Sequence, residues 1–224
     1  MSALPTLRGV KSHSYAPIAL RVEAVSRPAR TFTGDFYFTH RADDRLWIAH
    51  GDVAGKGLPA AIVMAMIQEE IEQRVIACAE TACDPARTMQ RLHEFLRPLL
   101  PRNRFATAVI AHLHDDGRLR VANGGHCPPL VVRRDGTIDE LPSTGPLLGI
   151  LPNARWTAHD TRLAKGDTLV LYSDGVTESL RDGEELGVDG LRELIANVGP
   201  SAYALQRALE KSCDDVTLVT VRRD

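Results

Sequence analysis

Aspartates next to apolar runs are the residues of this sequence whose type and placement could do chemistry. They are Asp35, Asp52, Asp174 and the pair Asp214-Asp215, several of which adjoin the apolar runs at 46–49, 169–172 and 216–219. A carboxylate at the edge of an apolar core is costly unless it is compensated, and several converging there repel one another. A divalent cation would resolve both problems. Oxygen ligands without cysteine or histidine favour Mg²⁺ or Mn²⁺ over zinc.

Each aspartate has a simpler explanation when it is taken alone. Asp174 precedes a glycine, and Asp-Gly is a common turn dipeptide. Asp52 could cap the helix that we predict after it. The set is therefore more informative than any of its members.

The glycine-rich segment 51–60 suggests two phosphate-binding motifs. It fails the P-loop pattern because Gly55-Lys56 comes one residue too early and Gly57 stands where Ser or Thr is required. Gly55, Gly57 and Ala60 fit the dinucleotide-binding fingerprint better, but that fold needs a strand after the helix, and the sequence predicts a second helix. Nucleotide binding is therefore disfavoured, and a purely structural glycine loop is the simpler alternative.

Short β-type runs and helices must position the aspartates. The pattern predicts strands over 20–25, 35–40, 46–53, 105–113, 119–123, 130–133, 156–163, 168–173 and 216–222. Helices are predicted over 60–77, from Asp84-Pro85 to about Leu99, and in two late segments that Gly199-Pro200 separates. Most strands are joined by hairpins, which predicts the α+β class, with mostly antiparallel sheets and helices packed outside them.

Composition excludes several classes of protein. The 224 residues include 27 Lys and Arg against 29 Asp and Glu, a net charge of −2, which argues against a nucleic-acid binder. No apolar run approaches the roughly 20 residues of a membrane span, and no signal peptide is evident. We therefore expect no membrane partner and a cytoplasmic location.

The cysteines and the first residues carry little signal. Cys78, Cys83, Cys127 and Cys213 form no CxxC motif and are predicted to be free thiols in a reducing compartment. Residues 1–17 lack periodicity. We predict that they are a leader or linker remnant before one domain over 18–224.

Several short motifs together resemble one family, and they occur in that family's order. They are GDFY at 34–37, GDVAGKGLPAA at 51–61, ANGGHCPP at 122–129, GPLLG at 145–149, KGD at 165–167, LYSDGVTE at 171–178 and DDVT at 214–217. On these motifs the sequence resembles the PPM-type (type 2C-like) metal-dependent serine/threonine phosphatases. Within them it is similar to the bacterial branch typified by the stage II sporulation protein E phosphatase domain and its stress-response relatives.

The resemblance implies an αββα sandwich with a two-metal centre at one end. By position, Asp52 resembles the carboxylate that bridges both metal ions, and Val53 would contribute its backbone carbonyl. Asp174 and Asp214 resemble further ligands. Asp35 resembles a residue that binds a metal ion through a water molecule, or one that binds a third, more weakly held ion. Asp215 receives no firm role.

The implied chemistry is hydrolysis of a phosphate monoester. Two Mn²⁺ or Mg²⁺ ions about 4 Å apart would generate a bridging hydroxide that attacks phosphorus in line, without a covalent enzyme intermediate. His126 is then predicted to be a loop histidine bonded to the backbone rather than a general acid. Cys213 is predicted to pack rather than to catalyse.

The function that the resemblance implies is a serine/threonine protein phosphatase. Its expected substrate is a phosphorylated anti-anti-sigma (STAS-type) regulator in partner-switching signalling. An upstream sensor or regulatory partner could act through the helices over 59–100, and a homodimer is allowed. The alternative is a non-catalytic module of the same fold that only binds a partner, and the intact carboxylate set argues against it.

Overall fold

The structure is a computed structural model that describes most of the chain. The described residues are 11–15, 20–29, 31–42, 44–55, 57–77, 84–101, 103–181, 183–210, 212 and 214–224. Lys56, Cys78, Cys83 and Cys213 lie outside these residues, so the predictions made for them are not addressed. Cys127 is a free thiol, as predicted. Within the described residues, no helix is both long and apolar enough to cross a bilayer.

Strands dominate the fold. They are β1 (Lys11–Tyr15), β2 (Leu20–Arg27), β3 (Phe36–Ala42), β4 (Arg45–Val53), β5 (Ala106–His114), β6 (Arg118–Gly124), β7 (Leu130–Val132), β8 (Ile138–Glu140), β9 (His159–Arg162), β10 (Thr168–Tyr172), β11 (Leu180–Arg181), β12 (Glu184–Glu185) and β13 (Val216–Arg223). The helices are α1 (Leu58–Ala77), α2 (Pro85–Leu96), α3 (Asp174–Thr177), α4 (Gly187–Val198) and α5 (Ala202–Ala208).

Two antiparallel sheets form the centre of the molecule. One has five strands in the order β3-β4-β5-β6-β9, and the other has six in the order β1-β2-β13-β10-β7-β8. The short β11-β12 hairpin lies apart from both sheets. β13, late in the sequence, pairs with β2 on one side and β10 on the other, so it completes the six-stranded sheet from within.

Three apolar layers hold the sheets and helices together. The first, between the five-stranded sheet and the α1-α2 pair, includes Trp47, Ile67, Leu92 and Ile110; the second, between the sheets, includes Leu46, Ile48, Val109, Leu171 and Val219; the third, under α4 and α5, includes Val170, Ile195, Leu205 and Leu218. Because alternate residues of β4 and β10 serve different layers, both faces of these strands are buried. The predicted α+β class and αββα sandwich are confirmed.

The second predicted helix shows how local sequence sets an element. Asp84 accepts hydrogen bonds from the backbone N–H groups of Ala86 and Arg87, and Pro85 occupies the first turn. The helix ends at Leu96, earlier than predicted, because Pro98 has no N–H to continue it. Leu99, predicted on its apolar face, is instead 42% exposed.

Other differences concern short elements. The strand predicted over 156–163 is confined to β9, and β8, β11, β12 and α3 were not predicted. β1 comes from the segment predicted as a leader and pairs with β2 at the edge of the six-stranded sheet. The domain boundary at residue 18 stays a prediction.

Candidate functional site

The ends of both sheets bring the predicted aspartates to one place. Asp52 is the penultimate residue of β4, Asp35 directly precedes β3, Asp174 follows β10 and Asp214 lies just before β13. β3 and β4 belong to one sheet, whereas β10 and β13 belong to the other. The space between these ends, which we call the acidic cleft, has a cavity volume of about 90 Å³ and is lined by Ala29, Phe32, Gly34, Asp35, Asp52, Gly55, Asp174, Asp214 and Asp215.

Gly34 packs directly against the Asp52 end of β4. The Val53 N–H donates to the Gly34 carbonyl oxygen at 3.3 Å. A Cβ atom on residue 34 would lie 2.6 Å from Asp52 Oδ1 and 2.8 Å from the Val53 carbonyl oxygen. A glycine is therefore needed here. The two oxygens predicted as ligands lie on the side of β4 that Gly34 covers, while the Val53 side chain is buried under the helices.

Ser173 fixes Asp174 against the start of β13. The Ser173 hydroxyl donates to the Asp215 carbonyl oxygen at 3.0 Å and accepts from the Thr217 N–H at 2.9 Å. A Cβ atom on Gly175 would lie 2.1 Å from that same carbonyl oxygen. This close approach places Asp174 beside Asp214.

Asp215 has a role in the structure that the sequence left open. Its carboxylate accepts hydrogen bonds from the Ala29 N–H at 2.7 Å and the Gly34 N–H at 3.2 Å. It therefore ties the β2–β3 loop to the beginning of β13.

Three carboxyl groups of the acidic cleft, those of Asp35, Asp52 and Asp174, have raised pKa values. Burial, followed by repulsion from Asp174, raises the pKa of Asp52 to about 7. Burial is also the largest cause of the raised pKa of Asp174, and repulsion from Asp214 is the second. Burial raises the pKa of Asp35 well above its ordinary value, although hydrogen bonds to Thr217 and Ser173 oppose the shift. Asp35 Oδ2 is buried without a hydrogen-bond partner among the described residues.

These residues suit a hard divalent cation. The donors are carboxylates and a backbone carbonyl, which Mg²⁺ and Mn²⁺ prefer. A bound cation and its water would give the Asp35 oxygen a partner and would occupy the space beside Gly34. Across the described residues, no three acidic, histidine or cysteine side chains are already drawn into a closed ligand group. The ligand roles of Asp35, Asp52, Val53, Asp174 and Asp214 stay predictions.

The glycine-rich loop has a structural explanation. Gly55 and Gly57 have φ values of 119° and 82°, which favour glycine. The Arg104 guanidinium fills the space beside Gly55 and donates to the Ala54 carbonyl oxygen at 2.9 Å. The next described element after α1 is α2, so the βαβ topology of a dinucleotide-binding fold is not formed.

Sequence reasoning missed the partners of His126. His126 lies in a loop, and Asn123 holds its backbone there: Asn123 Oδ1 accepts from the His126 N–H and Asn123 Nδ2 donates to the His126 carbonyl oxygen. The ring of His126, which we predicted to bond to the backbone, has hydrogen bonds to the side chains of His50 and Thr107. His50 lies on the same face of β4 as the buried Leu46 and Ile48. In the sequence pattern it therefore looks like an ordinary core residue.

Two facing antiparallel sheets between helical layers, with aspartates gathered at the sheet ends, define a PP2C-type (PPM) phosphatase domain. The chain belongs to the stage II sporulation protein E (SpoIIE) family, whose model matches residues 42–224. The predicted family is confirmed.

Named relatives agree with this assignment. The chain is 31% identical over 219 residues to the phosphoserine phosphatase RsbU of Bacillus subtilis, covering 92% of this chain and 64% of RsbU. The crystal structure of the RsbU and RsbW domains of Rv1364c from Mycobacterium tuberculosis matches with a TM-score of 0.78 at 23% identity, over 92% of this chain and 60% of that one. RsbX in complex with magnesium matches with a TM-score of 0.73 at 18% identity, over 96% of this chain and 100% of RsbX. The chain thus spans less than two thirds of RsbU and of the Rv1364c structure.

Proposed function

We propose that this chain is a metal-dependent serine/threonine protein phosphatase. The observation that carries the proposal is the acidic cleft. Aspartates from both sheets face one space, and the pKa values of Asp52 and Asp174 are raised by desolvation and mutual repulsion. Membership of the SpoIIE family and the likeness to the phosphoserine phosphatase RsbU support it.

The residues that would hold two Mn²⁺ or Mg²⁺ ions are Asp52, the Val53 carbonyl, Asp174 and Asp214, with Asp35 acting through water or for a third, weaker ion. Such ions, when bound, lower the pKa of water and offset the charge of phosphoryl oxygens. RsbX, a fold relative, has been solved in complex with magnesium.

The chain's own groups prepare the cleft for cations. Because the pKa of Asp52 is about 7, its carboxyl group is protonated in a fraction of the molecules at neutral pH. Binding of a cation there releases that proton. The anionic walls repel a phosphate dianion until cations are bound, which makes substrate binding depend on metal.

Cys127, the one cysteine among the described residues, is not suited to act as a nucleophile. Burial, followed by repulsion from Asp174 and Asp35, raises the pKa of the Cys127 thiol to about 12. A thiol with that pKa is not a thiolate at neutral pH and is a poor nucleophile.

The substrate we propose is phosphoserine or phosphothreonine on a STAS-type regulator in the cytoplasm. The name of RsbU supports phosphoserine. The Rv1364c structure, which combines RsbU and RsbW domains, supports a place in partner switching. An upstream sensor or regulatory partner would act through α1 and α2, because α1 begins a few residues after Asp52.

The test is phosphate release from an aryl phosphate and from a phosphorylated STAS protein, with EDTA, Mg²⁺ or Mn²⁺. We expect turnover only with metal and a loss of about 1,000-fold in Asp52→Asn. Asp189→Asn is the matched control, because the Asp189 side chain is 95% exposed on α4. Metal-independent turnover, or wild-type activity in Asp52→Asn, would contradict the proposal. Silence on both substrates with Mn²⁺ would leave the non-catalytic binding module.

A further inference from the structure

A buried chain of polar side chains lies under the acidic cleft. His50 Nδ1 and His126 Nε2 are 2.7 Å apart, and His126 Nδ1 and Thr107 Oγ1 are 2.8 Å apart. His50 is 0% exposed and His126 is 7% exposed. These distances are those of good hydrogen bonds, which in a buried setting are directional and costly to break.

Both imidazoles are neutral. Burial lowers the pKa of His126 to about 4 and the pKa of His50 well below its ordinary value. A neutral imidazole donates through one ring nitrogen and accepts through the other, so His126 can satisfy both neighbours at once. An amide side chain can also donate and accept, whereas a phenyl ring can do neither.

The backbone holds the His126 ring in place. The two hydrogen bonds between Asn123 and the His126 backbone close the turn after β6. Gly125 within it has a φ of 70°, and a Cβ atom there would lie 2.7 Å from Leu147 Cδ2. The ring is therefore fixed from its own loop as well as from its partners.

His126 lies where the chain passes from one sheet to the other. His50 lies two residues before Asp52 on the same face of β4, and Thr107 is directly opposite Asp52 in the β4–β5 register. His126 itself lies in the turn that leads from β6 of the five-stranded sheet to β7 of the six-stranded sheet, and β7 pairs with β10, the strand that leads to Asp174. Its side chain thus ties the turn between the two sheets to the strand that carries Asp52.

We propose that His126 is a positioning residue that braces the two sheets and so sets the separation between Asp52 and Asp174. Apolar packing between sheets has little directionality, and it leaves small sliding movements inexpensive. Hydrogen bonds that hold the turn between the two sheets to β4 and β5 restrict that sliding at the level of the cleft. The consequence for metal affinity rests on the proposed function, whereas the brace itself does not.

The first measurement needs no metal. Hydrogen exchange in EDTA is compared between the wild type and His126→Phe for peptides covering 50–55 and 172–176. We expect exchange about tenfold faster in both peptides and unchanged exchange in α4 and α5. His126→Gln should restore most of the protection. Thr107→Val, which removes one hydroxyl and keeps the shape of the side chain, tests the same chain with little risk to folding.

The second measurement is Mn²⁺ affinity by electron paramagnetic resonance. A displaced supporting residue typically costs about 10- to 100-fold in metal affinity. We expect that loss in His126→Phe, a smaller loss in Thr107→Val and near-recovery in His126→Gln. The matched control is His112→Phe: His112 is 6% exposed on β5 and contacts Trp47 and His114 near the other end of the strand. It should leave Mn²⁺ affinity unchanged.

The outcomes separate the brace from the metal centre. Unchanged exchange at 50–55 and 172–176 in His126→Phe and Thr107→Val would overturn the brace. Faster exchange with weaker Mn²⁺ binding supports it in full. Faster exchange in a protein whose wild type binds no Mn²⁺ would support the brace and reject the proposed function.

Discussion

Two regions of the molecule gather aspartates, and they compensate the charge in opposite ways. On the outer face of the five-stranded sheet, Arg120 forms ion pairs with Asp84 at 2.7 Å and with Asp160 at 3.0 Å. We call this region the arginine–aspartate groove; it is lined by Arg45, Asp84, His112, His114, Arg118, Leu119, Arg120, Asp160 and Thr161. In the acidic cleft, Asp35, Asp52 and Asp174 form no ion pair with another described residue.

The pKa values of aspartates in the two regions differ in the same way as their ion pairing. Beside the groove, burial is the largest single influence on the pKa of Asp44 and raises it, but the hydrogen bonds and positive charges of Arg45 and His114 together outweigh it and the net shift is downward. In the cleft, the pKa of Asp52 rises to about 7. The groove is thus neutralised by its own residues, whereas the cleft retains a charge that only an added cation or protons can offset.

The largest expected effect separates the two regions by activity. Asp174→Asn should lower kcat by about 100- to 1,000-fold at saturating Mn²⁺, because it removes a carboxylate aimed into the cleft. Asp160→Asn, in the groove, should keep kcat within about twofold, since exposed ion pairs contribute little. Steady-state assays on an aryl phosphate measure both. Equal losses of kcat in the two variants would show that the cleft and the groove do not differ in their importance for activity.

The next prediction concerns stability without metal. A raised carboxyl pKa means that the folded state binds the proton more tightly than the unfolded state. The stability it contributes is complete below the ordinary pKa of 3.8 and is lost as pH rises through about 7. Metal-free wild type should lose about 2–3 kcal/mol of unfolding free energy between about pH 5 and pH 8.

Urea denaturation in EDTA at several pH values measures this loss. Asp52→Asn should reduce the slope, while Asp189→Asn, at an exposed position on α4, should keep it. A wild-type stability that is flat or rises over this range would show that the pKa of Asp52 is not raised in the folded protein.

Gly34→Ala tests the close packing around Asp52. A Cβ atom there would lie 2.6 Å from Asp52 Oδ1, so the carboxylate must move. We expect Mn²⁺ affinity to fall by about 10- to 100-fold. Gly136→Ala is the control: its φ is 91° and nothing lies within 4 Å of the added atom. It should lose about 1 kcal/mol of stability and no affinity.

The smallest effect belongs to the groove. Asp84→Ala removes both a helix cap and an ion pair, and should cost about 1 kcal/mol of unfolding free energy without changing activity. Asp84→Asn keeps a good cap and should cost less, about 0.5 kcal/mol or below. Thermal unfolding resolves the two variants. A loss of activity in either would show that the groove influences the cleft.

The sequence predicted the elements that carry a repeating signal. In strand β4, successive side chains point to opposite faces, and both faces pack against apolar layers. Helix α2 has a capping residue, a proline in its first turn and apolar residues at helical spacing. The four-residue α3 and the two-residue β11 and β12 are too short to show a period. The pattern could not separate them from turns.

The same limit applies to the site. Asp52 and Asp174 could be found because each adjoins an apolar run, so a carboxylate at the edge of the core could be inferred locally. The bond between His50 and His126 spans 76 residues of sequence and leaves no local trace. A histidine inside an apolar strand looks like core until its partner is placed beside it.

The central position of β13 has a consequence for biosynthesis. The hydrogen bond from the Gly34 N–H to the Asp215 carboxylate joins residues 181 apart, and β2 gains its inner neighbour only when β13 exists. A nascent chain that has emerged only as far as α3 contains Asp35, Asp52 and Asp174 but has neither the last wall of the cleft nor a closed six-stranded sheet. Such long-range pairing is slow to form. The acidic cleft is therefore assembled after translation of almost the entire domain, and an incomplete chain cannot display it.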